Sequence, residues 1–416
     1  MTEILALIVV FCTVSAMVKG YETRLVLITA GLLMGLIALD PLGGFDAFAK
    51  RMTSGSLIQS ICSVMGFAFV MKYTKCDLHL VRLLSSKIDK VKLLIIPAGT
   101  MITFGVNIAL PSAAGSAAAA GAAIIPVMIR AGVSPAVAAA AVIGGTFGSM
   151  LNPGMAHNPF IGDMAGISSM DVVLNHQLPT IIAMLLGAII LTIIAVVKKE
   201  HTGYSIEGEE TKIEDVKVNL LWALAPIVPI VILLLGATII PAMKMGVPQA
   251  MLFGVLYTFA VTRANPAEVT KSFFSGMGEA FANVFGIIIA AAVFVFGLKA
   301  TGLVDAGIGF LTSYPELAKL LGPAGTSALA ILTGSGDAAA FAFNEAITPN
   351  AADFGLNIPD MGSATVLAGC FGRAMSPVAG ATIVAAAIAG VSPLEAAKRQ
   401  WPGMLSALVV TVFIML

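Results

Sequence analysis

Charge is scarce in this 416-residue chain: Asp, Glu, Lys and Arg together make up 11%. Soluble domains carry about 25%, so an ordinary water-facing surface is excluded. The two signs also balance, 23 against 23, which removes the basic excess that a nucleic-acid partner selects. Cysteine is rare. Cys12, Cys62, Cys76 and Cys370 are scattered through apolar segments and suggest neither a disulfide framework nor a metal site. The four histidines (His79, His157, His176, His201) form no His-Glu-x-x-His pair, and no Gly-x-Ser-x-Gly elbow occurs. An intramembrane metalloprotease or serine hydrolase therefore has no visible machinery, and the chain reads as a non-enzyme. No stretch resembles a repeated selectivity filter, so a channel is also disfavoured. A cleavable leader is not expected either. Met1 to Val18 lacks a basic start and a small-residue cleavage site, and reads as a first span.

Apolar residues are what is plentiful, at 58% with a mean hydropathy of +0.98. Runs such as Leu25 to Leu39, Leu178 to Val197 and Leu220 to Ile240 approach the ~20 residues that cross ~30 Å of hydrocarbon. Glycine reaches 42, as close helix packing in lipid requires. The lipid bilayer is the implied environment.

The chain also repeats itself. Gly132 to Pro179 can be laid on Leu356 to Pro402. At one offset of 224 residues, Phe147-Gly148 falls on Phe371-Gly372 and Asn152-Pro153 on Ser376-Pro377. Ala165-Gly166-Ile167-Ser168 falls on Ala389-Gly390-Val391-Ser392. Both copies interrupt an apolar stretch with Pro, Gly and small polar residues. In a membrane protein this marks a secondary transporter with its site between two broken helices.

The spacing predicts an all-α polytopic membrane protein made of two inverted repeats, each with five spans, one of them broken, and a re-entrant helical hairpin. The first repeat covers 1–199, with spans near 3–18, 24–40, 55–73 and 175–197, a hairpin over 92–131 and a broken helix over 135–167. A charged cytoplasmic linker follows at 200–216. The second repeat covers 217–416, with spans near 218–241, 247–262, 273–298 and 400–416, a hairpin over 317–349 and a broken helix over 359–390. The segment from Lys75 to Lys92 reads as an amphipathic helix on the membrane surface. An odd number of crossings per half forces the second half to be inverted. With both termini outside, 17 Lys and Arg fall inside and five outside (Lys50, Arg51, Lys244, Lys299, Lys319), as the positive-inside rule favours. Only Arg373 remains at membrane depth.

Four polar breaks carry the candidate chemistry. The first tip holds Ser112, Gly115 and Ser116, and the first broken helix Asn152, His157 and Asn158. The second tip holds Gly334, Ser335, Gly336 and Asp337, and the second broken helix Arg373, Ser376 and Thr382. Helix N-termini at such breaks offer free N–H groups and partial positive charge, so they take carboxylates without many cations. Arg373 adds a bidentate grip. All of these read as substrate-binding except Asp337 and His157, which read as a site for a coupling proton or Na⁺. An isolated Asp337 at this depth is costly, and Arg373 is its simplest partner. No cofactor is expected. Glu345 is read as ending the second hairpin near the outer face.

Three stretches resemble the anaerobic four-carbon dicarboxylate uptake C family: Gly276 to Val284, the tip Thr333-Gly-Ser-Gly336, and Phe371 to Gly380 followed by Ile388 to Glu395. The resemblance implies a bacterial inner-membrane carrier for succinate, fumarate or malate, working by exchange or with a coupling cation. It also implies, at superfamily level, an elevator-type fold and a homodimer. Against the family pattern, His157 lies near a position that often carries an acid, and Asp337 replaces an amide. A carrier for another organic or sugar acid, or an Na⁺/H⁺ exchanger of the same superfamily, remains the alternative. The exchanger is expected to need core acidic pairs, and Asp337 stands almost alone.

Overall fold

In a computed structural model of the chain, residues 2–85, 94–204 and 218–416 are described, and every regular element among them is helical. The first half contains α1 (Thr2–Val18), α2 (Thr23–Ile37), α3 (Gly43–Met52), α4 (Gly55–Thr74) and α5 (Cys76–Ser85). A hairpin of α6 (Ile95–Ala109) and α7 (Ala113–Arg130) comes next, then the two halves of a broken helix, α8 (Pro135–Gly144) and α9 (His157–Ala165), and α10 (Ser169–Val197). The second half contains α11 (Leu220–Leu224), α12 (Val228–Thr238), α13 (Val247–Thr262), α14 (Pro266–Glu279), α15 (Gly286–Ala300) and α16 (Leu303–Ser313). It ends with a hairpin of α17 (Pro315–Thr333) and α18 (Asp337–Ala346), a broken helix of α19 (Ile358–Ala374) and α20 (Gly380–Ala389), and α21 (Pro393–Met415). The helices Gly55–Thr74, Ala113–Arg130, Ser169–Val197 and Pro266–Ala300 are each long and apolar enough to cross a membrane. Several shorter apolar helices surround them.

The two halves use the same local devices. Gly166 and Gly390, 224 residues apart, both cap a half-helix in the left-handed region at φ +68, where a Cβ is penalised. Each turn is followed by a serine N-cap, Ser168 or Ser392. Ser168 forms a capping box with Asp171 and starts the 29-residue α10.

Packing depends on small residues, because lipid supplies no hydrophobic drive between helices. A Cβ on Gly145 or Gly148 would lie 2.5 or 2.1 Å from the α6 carbonyls of Thr100 and Phe104. Their counterparts at +224, Gly369 and Gly372, meet Thr326 and the Ser327 carbonyl of α17 at 3.1 and 2.3 Å. Each hairpin is thereby pressed onto the broken helix that follows it. Phe147 and Phe371, also 224 apart, meet edge-to-face at 5.3 Å between the halves. A second group of helices is joined in the same way. Gly31 of α2 faces the Val293 carbonyl of α15, and Gly276 of α14 faces the Met65 carbonyl of α4.

Several elements differ from the sequence expectation. α3 and α16 occupy stretches to which the sequence assigned no span, because each is too short to cross a membrane. The expected span 218–241 is interrupted between α11 and α12 around Pro226, which cannot donate an amide. The expected span 273–298 is part of a 35-residue run from Pro266 to Ala300 with a π-turn at Ala280–Phe285. α5 accounts for the described part of the surface helix. It buries Cys76, His79, Leu80 and Val81, and His79 Nδ1 accepts the Asn219 N–H at 3.2 Å. Burial pushes the His79 pKa below its ordinary value, which suits that acceptor role. Residues 86–93 of the surface helix and the start of the first hairpin, and 205–217 of the linker, lie outside the described residues.

Candidate functional site

The first tip is built by Asn107. Its amide donates to the Leu110 carbonyl and to Ser116 Oγ, both at 3.1 Å, and its Oδ1 accepts the Ser149 N–H at 2.8 Å. Ser116 Oγ donates to the Leu110 carbonyl at 2.9 Å. Ser116 is buried and closes the tip. Ser112, the N-cap of α7, accepts the Gly115 N–H at 3.1 Å and remains exposed.

The first break is held by its two asparagines. Asn152 Nδ2 donates to the Ile108 carbonyl and Asn158 Nδ2 to the Met150 and Asn152 carbonyls, all at 2.8 Å. His176 of α10 holds Asn158 Oδ1 from Nε2 at 3.0 Å. These bonds satisfy the backbone freed where α8 stops, as apolar surroundings require. The second break is tied by Trp401, whose Nε1 donates to the Met375 carbonyl at 2.8 Å. Ser376 Oγ accepts the Val378 N–H at 3.3 Å. Thr382 is buried with its hydroxyl unpartnered. At the second tip Thr333 donates to the Ser335 carbonyl at 2.9 Å. Gly334 and Gly336 allow that tip to touch Val378 and Gly369, where added Cβ atoms would stand 2.9 and 2.7 Å away.

Between the two tips lies a cavity of about 220 Å³. Ser112, Ser149, His157, Asp337 and Arg373 supply its polar lining, and Ile61, Val64, Met65, Val284 and Phe341 much of its apolar wall. The N-termini of α7, α9 and α18 all reach it, at Ala113, His157 and Asp337. The three helix starts and Arg373 favour an anion, although the start of α18 already carries the Asp337 carboxylate.

His157 Nε2 stands 3.1 Å from Asp337 Oδ1. The imidazole is 1% exposed, stacks on Phe341 at 4.2 Å, and leaves Nδ1 without a partner. The Asp337 side chain is 40% exposed, toward the cavity. The partner of Asp337 is thus His157, where the sequence made Arg373 the simplest choice. Arg373 instead donates from Nη2 to the Thr146 carbonyl at 2.8 Å, where α8 has ended, and its buried Nε is unpartnered. That bond crosses from the second broken helix to the first.

Of the residues singled out from sequence, Ser112, His157, Asp337 and Arg373 line the cavity in this conformation. Gly115, Ser116, Asn152, Asn158, Gly334, Ser335, Gly336, Ser376 and Thr382 lie outside that lining. Ser149 was missed, although the 224-residue offset maps it directly onto Arg373. Among Ile61, Val64, Met65, Val284 and Phe341 of the apolar wall, only Val284 lies in a stretch singled out for its family resemblance. Among the described residues no group of three or more His, Cys, Asp or Glu is placed to hold a metal ion.

Apolar helices, paired hairpins and a cavity between broken helices define a multi-pass membrane transporter. The chain belongs to the C4-dicarboxylate anaerobic carrier family, whose model matches residues 45–416. That family transports and is not enzymatic. The chain is 26% identical to the anaerobic C4-dicarboxylate transporter DcuC of Escherichia coli K12, over 98% of this chain and 95% of the relative. It is 46% identical to a Haemophilus influenzae protein named only as an uncharacterised transporter, over 64% of this chain and all of the relative. In fold it is similar to two solved transporters. Neisseria gonorrhoeae MtrF, described as an antimetabolite efflux pump, superposes with TM-score 0.59 at 16% identity, over 92% of this chain and 84% of that one. Alcanivorax borkumensis YdaH superposes with TM-score 0.56 at 15% identity, over 89% and 86%.

Proposed function

We propose that the chain is a secondary active carrier of C4-dicarboxylates (succinate, fumarate or malate) in a bacterial inner membrane. The observation that carries this reading is the cavity itself, where Arg373 faces three helix N-termini. One substrate carboxylate bonds to Arg373 and the other to the N-terminal N–H groups of α7. His157 and Asp337 hold the coupling ion, a proton or Na⁺. Protonating the pair adds one positive charge to the cavity, so a dianion loads more readily when the pair is protonated.

Alternating access follows an elevator scheme in this reading. The unit of hairpins, broken helices, α10 and α21 moves against the remaining helices. The inverted repeats at 1–199 and 217–416, joined through 200–216, are supported by the glycine contacts that recur at +224. Both termini lie outside, and two copies associate as a homodimer.

A second reading rests on Asp337. Its carboxylate shares the cavity with Arg373 and repels a second substrate carboxylate, so a sugar acid with one carboxylate and several hydroxyls also fits. The test is uptake of labelled succinate into proteoliposomes, with or without internal fumarate and with imposed proton or Na⁺ gradients. Uptake that needs internal fumarate makes the carrier an exchanger, and uptake driven by one gradient names the coupling ion. Absence of both, with labelled gluconate accumulating instead, replaces the dicarboxylate reading with the second.

A further inference from the structure

A separate cavity of about 560 Å³ lies where α3, α15 and α18 meet. Lys50, Arg51 and Lys299 line it, opposed by Glu345 and Asp163. Arg51 Nη2 bonds to Glu345, and both side chains are largely buried, at 18% and 19% exposure. Asp163 accepts from Ser56 Oγ at 2.9 Å. Lys50 and Lys299 make no ion pair among the described residues. Three cations and two carboxylates line the cavity, so it keeps an excess of one positive charge.

The placement of these cations is not what solubility alone selects. In the orientation proposed above, only five Lys or Arg lie on the outer side, and three of them line this cavity. A fourth, Lys244, lines the adjoining cavity, which shares Asp163. The cavity is also in mechanical line with the central one. The Arg51 guanidinium lies over Phe160 at 5.8 Å, Phe160 meets Phe341 edge-on at 5.0 Å, and Phe341 stacks on His157 at 4.2 Å. Two phenyl rings therefore stand between Arg51 and His157.

We propose that this cavity is an outer anion-capture subsite. It takes a carboxylate of the incoming substrate on Lys50 and Lys299 before the substrate reaches Arg373. The Phe160–Phe341 layer, latched by Arg51 and Glu345, is the barrier between the two sites. A captured carboxylate competes with Glu345 for the guanidinium and frees α18, the second arm of the second hairpin, to move. The identity of the captured anion as a dicarboxylate rests on the function proposed above, while the capture of small anions does not.

Thiol labelling separates the two claims. Cys12 is the exposed natural thiol and the other three are buried, so Cys12→Ala with Ser54→Cys places one reactive thiol in this cavity. The probes are methanethiosulfonates of similar size, one carrying a sulfonate and one a quaternary ammonium, added outside intact cells. The anionic-to-cationic rate ratio is expected to fall about tenfold in Lys50→Gln/Lys299→Gln and to persist in Lys50→Arg/Lys299→Arg. External succinate is expected to slow the anionic probe. Equal ratios in the Lys and Gln backgrounds overturn the subsite even if succinate is transported. A ratio effect without protection by succinate supports an anion subsite and counts against the dicarboxylate.

Discussion

His157 and Asp337 lie 180 residues apart in sequence and meet at 3.1 Å on the wall of the central cavity. One begins α9 in the first broken helix, and the other begins α18 at the second tip. The contact sets a carboxylate on the second tip against an imidazole of the first broken helix.

Asp337→Asn keeps an acceptor for His157 and removes the charge. Gradient-driven uptake is expected to be lost while substrate exchange persists. His157→Gln removes the imidazole that meets Asp337 at 3.1 Å and is expected to weaken gradient-driven uptake in the same way. Proteoliposome uptake with and without an imposed gradient checks both. Full gradient-driven uptake in Asp337→Asn removes the pair from coupling.

Arg373 has a fork that reaches the Thr146 carbonyl with one nitrogen and faces the cavity. Lysine supplies charge without the fork. A hydrogen bond to a charged group is worth ~1.5–3 kcal/mol, so Arg373→Lys is expected to weaken substrate binding roughly 10- to 100-fold. Arg373→Ala is expected to abolish uptake with membrane insertion unchanged. Binding titrations and size-exclusion profiles of both variants check this, and near-normal uptake in Arg373→Ala removes it from the site.

The all-helical membrane class was legible because it depends on composition, whereas the expected span at 218–241 is interrupted around Pro226. Apolar runs, Pro-Gly interruptions and the 224-residue offset are local signals. The His157–Asp337 contact was not legible, because nothing local announces a pairing across 180 residues. The three bonds by which Asn107 builds the first tip were not legible either. Asn158 shows the same limit from the other side: its amide is satisfied by two carbonyls and its oxygen by His176. A buried amide reads the same in sequence whether it holds a ligand or its own chain.

Arg51 and Glu345 join α3 to the second hairpin. A disulfide between Arg51→Cys and Glu345→Cys is expected to stop uptake, and a reducing agent to restore it. Transport at the full rate by the cross-linked protein shows that this contact does not open during the cycle.

Gly372 tests the hairpin packing. An added Cβ meets the Ser327 carbonyl at 2.3 Å, whereas nothing lies within 4 Å of one added at Gly278. Overpacking costs about 1–3 kcal/mol, while an unhindered helical Gly→Ala gains up to about 1 kcal/mol. Gly372→Ala is expected to lower the thermal midpoint in detergent and Gly278→Ala to leave it equal or higher. Equal midpoints for both variants contradict the tight contact.

The most direct test of the central claim is a binding titration of the purified protein with a length series: malonate, succinate, glutarate and the monocarboxylate butyrate. Arg373 and the helix N-termini in one cavity of about 220 Å³ lead to tightest binding for succinate, weaker binding for its neighbours and little for butyrate. Butyrate binding as tightly as succinate contradicts recognition of two carboxylates.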